Sequence, residues 1–151
     1  MRTLALAALL VLLGAAQAAA ATIEIKGGWI RTPPPSAPTA AAYAVITNRG
    51  IATDRLMGAF SPAAASVALH QDTKAGGIMR MRPVTGGLPL GASATVTLAP
   101  NGYHLMLTGL KAPLKAGQHV RIVLRFQRAG NVAADFVVKD GPGGGMAGMR
   151  M

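Results

Sequence analysis

The sequence has 151 residues, 51% of them hydrophobic and 13% charged, with a formal net charge of +10. That length suits one domain with a modest core. Cysteine is absent, which excludes thiolate catalysis, cysteine-ligated zinc and a blue-copper centre.

Arg2 precedes an apolar run from Leu4 to Leu13, and Ala16-Gln17-Ala18 then offers small residues for a signal peptidase. This is the three-part pattern of a secretory signal over residues 1–18. The run falls short of the ~20 apolar residues that span a membrane, so no stable membrane insertion is expected once the signal is removed. No cysteine follows the small residues, and this reading therefore excludes a lipoprotein anchor. The folded domain is expected over residues 19–140.

Residues 22–30 read as a strand, with Ile23 and Ile25 alternating with polar neighbours. Residues 31–39 are proline-rich and read as a loop, because proline cannot sit in strand interior. Residues 41–48 resume the strand pattern. Further extended runs are predicted at Ser66–Gln71, Ile78–Val84, Thr95–Leu98, Tyr103–Leu107, Val120–Gln127 and Val132–Val138. Turn signals such as Pro100-Asn101-Gly102 and Ala129-Gly130-Asn131 separate them. About eight short strands, with no helical period after the signal, predict an all-β antiparallel sandwich or barrel. Residues 141–151 hold five glycines and three of the eight methionines and read as a flexible tail outside any core.

The only acidic residues are Glu24, Asp54, Asp72, Asp135 and Asp140, while the basic residues are spread along the chain. No Lys/Arg run stands beside aromatic residues, so nucleic acid is not an expected partner. A charge of this sign favours acidic partners, and the bland reading is a solvated basic surface. The four serines form no nucleophile-elbow motif, and an enzyme is not expected.

Met and His stand in an unusual arrangement. His70 is followed by ten residues and then Met81, with Met79 two positions earlier; after twenty-two more residues comes His104, then Met106. Strand residues i and i+2 share a face. Met79 should therefore share a face with Met81, and His104 with Met106. Tyr103, Leu105 and Leu107 should enter the core, leaving His104 and Met106 to look outward or toward a neighbouring loop. Thioether sulfur is soft, uncharged and does not titrate, so it selects Cu(I), and imidazole binds copper in either state. Thioethers also survive an oxidising compartment in which thiols would be lost. Spacing alone leaves two readings open: a Cu(I) site, or a sandwich whose methionines are packing residues. His119 has no Met two positions away and is left out of the set.

The strings Gly77-Ile78-Met79-Arg80-Met81-Arg82-Pro83-Val84 and Gly102-Tyr103-His104-Leu105-Met106-Leu107, placed after His70 and before Pro113-Leu114-Lys115-Ala116-Gly117, resemble the periplasmic copper chaperones of the PCu(A)C type. Trp29-Ile30-Arg31 and Ala41-Ala42-Tyr43 fit as well. The resemblance covers most of residues 24–138. It implies a cupredoxin-like or immunoglobulin-like Greek-key β-sandwich in the periplasm. It also implies Cu(I) held by His70, Met81, His104 and Met106, with Met79 a bystander or a substitute. The implied partner is a copper-accepting protein, notably the copper-bearing subunit of cytochrome c oxidase. The family's acidic residues after the first His are replaced here by Gln71-Asp72-Thr73-Lys74, and the tail carries Met146, Met149 and Met151 but no His. The tail thioethers are expected to be at most a loose second copper contact.

Overall fold

A computed structural model describes residues 22–141; the expected signal and nearly all of the tail, including its three methionines, lie outside the described residues. Among those described there are ten strands and no helix. They are β1 (Ile23–Arg31), β2 (Thr39–Asn48), β3 (Asp54–Phe60), β4 (Ala64–Ala75), β5 (Ile78–Pro83), β6 (Leu88–Leu90), β7 (Thr95–Thr97), β8 (Tyr103–Leu110), β9 (His119–Phe126) and β10 (Gly130–Lys139).

The strands join into one sheet in the order β5-β4-β8-β2-β1-β10-β9-β3-β6, and a further pairing of Ala59 on β3 with Val67 on β4 links the two sides. Seven strands thus form a barrel-like ring, with β5, β6 and β7 added outside it. The all-β expectation holds. The expectation of antiparallel pairing throughout does not, because β1 runs parallel to β10, Trp29 lying opposite Val137. Parallel neighbours need a crossover, and here the whole domain between β1 and β10 supplies it.

Alternation along the strands builds the core. Ala40, Ala42, Ala44 and Ile46 of β2 turn inward, as do Leu105 and Leu107 of β8, Ile122 and Leu124 of β9, and Phe136 and Val138 of β10. Val67 and Leu69 of β4 stand opposite Leu107 and Leu105. Each fully buried aliphatic side chain contributes roughly 1.5–3 kcal/mol relative to exposure.

Two irregularities position the outer face. In β1 the pairing with β2 shifts between Lys26 and Trp29. Gly27 there has φ of 61°, and a Cβ at Gly28 would come within 3.0 Å of Asp135 O and the Phe136 ring. The resulting bulge reverses the strand's facing. Ile23 faces the core before it and Ile30 after it, so Trp29 falls on the outer face opposite Tyr43. The β4–β5 hairpin turns through Gly76 and Gly77, with φ of 58° and 78°, between paired Ala75 and Ile78. A two-residue turn with both φ values positive suits the twist of a hairpin and favours glycine.

Strands β3 and β6 were not anticipated. The β3 segment opens on an aspartate and contains Gly58, so local propensity does not announce it. Tertiary pairing with β9, β4 and β6 makes it a strand. Likewise β4 runs to Ala75, beyond the expected Gln71, because β5 pairs along its second half.

Candidate metal centre

β4 is paired with β8 over its first part and with β5 over its second, and His70 lies where the two overlap. It stands opposite His104 on one side and Pro83 on the other. Directly opposed antiparallel residues share a face. From this register His70, Asp72, Met79, Met81, His104 and Met106 all belong to the outer face. The sequence-derived phase is therefore correct: Leu105 and Leu107 enter the core, and His104 and Met106 lie opposite them.

His104 faces away from the core as expected, but it is neither open to solvent nor covered by a loop. It is only 2% exposed. Neighbours on the outer face enclose it: the Tyr43 ring at 6.3 Å, the His70 ring edge-on at 5.9 Å, and Asp72 Oδ2 at 3.9 Å from Nδ1. Trp29 extends the row, its ring 4.6 Å from that of Tyr43 and capped by Lys139 Nζ at 5.5 Å. Strand periodicity identifies a face but not what covers it, and six strands contribute to this one.

The two imidazoles differ. His70 Nδ1 lies 2.9 Å from Met81 Sδ, while Met81 itself is 49% exposed. Burial holds the His70 imidazole below its usual pKa, the neighbouring His104 acts in the same direction, and Asp72 opposes them. A neutral ring keeps a lone pair available without proton release. His104 Nδ1 lies 3.4 Å from the Gly102 carbonyl. Its Nε2 is buried with no hydrogen-bond partner. Buried polar atoms are nearly always paired, so an orphaned one calls for an explanation. A nitrogen that binds a metal is one, since a ligating histidine commonly directs its other ring nitrogen at a carbonyl or carboxylate.

The structure thus brings His70, Met81 and His104 together. Met106 shares their face two residues further along β8, opposite Ala68, and is partly buried. A shallow cavity of about 230 Å³ adjoins it, walled by Arg31, Thr32, Pro33, Pro34 and Ala37. The proline-rich loop therefore lies beside Met106. Met79, opposite Lys74, stands further toward the hairpin tip and is 48% exposed. Among the described residues, no group of three or more His, Cys, Asp or Glu side chains could hold a metal, so a centre here depends on the thioethers. Sequence reasoning missed Tyr43 and Trp29 as the floor of the site. The Gly27-Gly28 pair was the local signal, since it moves Trp29 to the outer face.

Comparison with known proteins shows the family. The model of the family described as putative lipoprotein LpqE-like matches residues 23–138. The chain belongs to this family, which is of the PCuAC type. A putative lipoprotein of Leifsonia xyli subsp. xyli is 35% identical over 118 residues, covering 78% of this chain and 70% of that protein. The Cu(I) form of DR1885 from Deinococcus radiodurans is 36% identical, with a TM-score of 0.62 over 84% of this chain and 83% of that one. The copper-bound PCuAC domain from PmoF2 is 27% identical, with a TM-score of 0.65 over 80% of this chain and 94% of that one.

Proposed function

We propose that this protein is an exported Cu(I) carrier that holds the ion on His70, Met81, His104 and Met106 and hands it to an acceptor protein. The observation that carries this reading is the buried, unpartnered Nε2 of His104, set in one row with His70 and the Met81 sulfur that touches it. Two imidazoles and two thioethers are neutral and mostly soft, a donor set that favours Cu(I) over borderline or hard ions. The copper-bound relatives support the same ion. The cargo is bound and released unchanged, so the protein is a carrier and not an enzyme.

The competing reading, a sandwich with methionines as packing residues, is disfavoured by the half-exposed Met79 and Met81. Within the carrier reading, residues 1–18 are a signal peptide, the compartment is the periplasm and the acceptor is a protein such as the copper-bearing subunit of cytochrome c oxidase. The barrel-like ring is then a cupredoxin-like Greek-key sandwich, supported by the placement of β2 between β1 and β8. X-ray absorption of the Cu(I)-loaded protein tests the centre. Sulfur and nitrogen neighbours at one equivalent are expected; an edge with only nitrogen and oxygen neighbours overturns it.

A further inference from the structure

Among the described residues β5 ends the sheet, with β4 on one side and no strand on the other. All six of its residues are exposed, including Ile78 at 58%. The backbone along this edge has a defined phase. Val84 N–H donates to Leu69 O, toward β4, and Asp72 N–H donates to Gly102 O, away from β5. Antiparallel ladders alternate, so the N–H and C=O groups of Met79 and Met81 point to the free edge, whereas those of Arg80 and Arg82 point at β4. An exposed edge of this kind is a template for another strand.

Charge decides which strand. Arg80 and Arg82 stand on one face of the edge and Lys74, opposite Met79, on the other. None of the three is in an ion pair among the described residues. Asp72, the carboxylate at this edge, lies beside His104. Pairing two copies of β5 would bring these positive charges together, in a chain whose net charge is already +10, and like charges across strands are destabilising.

We propose that the free edge of β5 is the docking strand for the copper acceptor, which presents an extended acidic segment to it. The inference rests on the carrier reading above. Docked there, the segment pairs with the backbone of Met79 and Met81 and lies against the one proposed ligand that is half open to solvent. Transfer is then a ligand exchange: the bond from Met81 Sδ to copper breaks as a soft donor of the segment bonds the ion, and the copper remains Cu(I) throughout.

The test mixes the full-length protein, with and without Cu(I), with a synthetic peptide of alternating Glu and Val around a central Met. A peptide with Lys in place of Glu is the control. Amide hydrogen exchange is expected to slow about tenfold at Met79 and Met81 with the acidic peptide and not with the basic one. Met79→Pro removes an edge-facing N–H without removing a ladder bond to β4, and should abolish the effect at Met81. Arg80→Glu with Arg82→Glu should weaken peptide binding by about tenfold. The double arginine variant should hold Cu(I), measured by chelator competition without peptide, as tightly as the unaltered protein. Equal protection by both peptides, protection by neither, or protection that grows with protein concentration alone, as a second copy would produce, overturns the docking proposal. Failure of the unaltered protein to bind Cu(I) overturns the carrier reading instead, and the peptide result without copper still reads the edge.

Discussion

Two buried polar regions of this molecule are built on opposite rules. At one, Asp54 accepts hydrogen bonds from the backbone N–H groups of Arg55, Arg128 and Ala129 at 2.7–2.9 Å. Nearby, Asn48 donates to the carbonyls of Ala52 and Leu90 and accepts from Gly50 N–H. At the other, His104 is as deeply buried as these but its Nε2 has no partner. The first region finds its partners within the protein, and these bonds hold the fold. The second has donor capacity left over, and that surplus is what a ligand can use. Burial of a polar group therefore does not by itself distinguish structure from function; Thr32 Oγ1 is also buried without a partner, and it is the imidazole and thioether beside His104 that set its Nε2 apart.

The sharpest way to break this comparison is to empty the saturated region. Asp54→Ala leaves three backbone N–H groups without their acceptor and should cost about 3 kcal/mol, read by urea unfolding at pH 7. Cu(I) affinity per folded molecule should not change. Acid tests the same residue. Burial raises the Asp54 pKa, but the three N–H donors and the Arg128 charge outweigh it and hold the carboxyl below its ordinary 3.8. Its contribution to stability is therefore fully present above about pH 4 and is lost as pH falls through the lowered folded value. Asp54→Asn should flatten that part of the acid-unfolding curve; an unaltered slope would remove Asp54 from the account.

The opposite outcome is expected in the unsaturated region. His104→Phe replaces an orphaned imidazole with an apolar ring and should move stability by less than about 1 kcal/mol, because no complete hydrogen-bond network is broken. Cu(I) affinity should fall by about a hundredfold (~2.7 kcal/mol), measured by chelator competition. A large loss of stability with affinity intact would make His104 a structural residue.

Met106→Leu should lower Cu(I) affinity by about tenfold and cost under ~1.5 kcal/mol of stability, since the two side chains have similar volume. An unchanged dissociation constant would return Met106 to packing. The smallest effect is expected from Asp72→Asn. Asp72 stands 3.9 Å from His104 Nδ1 and orients or polarises the ring at most, so a change of a few-fold in affinity is expected; a loss as large as that of His104→Phe would place Asp72 on the ion itself.

Much of the candidate site was legible in the chain. The i, i+2 spacing of His104 and Met106, with Leu105 and Leu107 between, fixed which residues face away from the core. The register confirmed that phase, placing Leu105 opposite Leu69 on the core side and His104 opposite His70 on the other. The strands with strong alternation, such as β9 and β10, were found. β3 was not, because its segment gains its extended form from partners distant in sequence and not from its own residues.

Composition and spacing by themselves determined the all-β class, the absence of thiol chemistry and which His and Met residues share a strand face, because these depend only on residue type and on the two-residue period of a strand. The tertiary structure alone decided that His104 is enclosed and not exposed, that the Gly27-Gly28 bulge carries Trp29 outward beneath Tyr43, and that β4 is shared between β8 and β5 so that His70 meets both His104 and Met81. These depend on strand pairings across tens of residues. A local pattern gives the direction of a side chain, but only the closed sheet supplies the neighbour it meets.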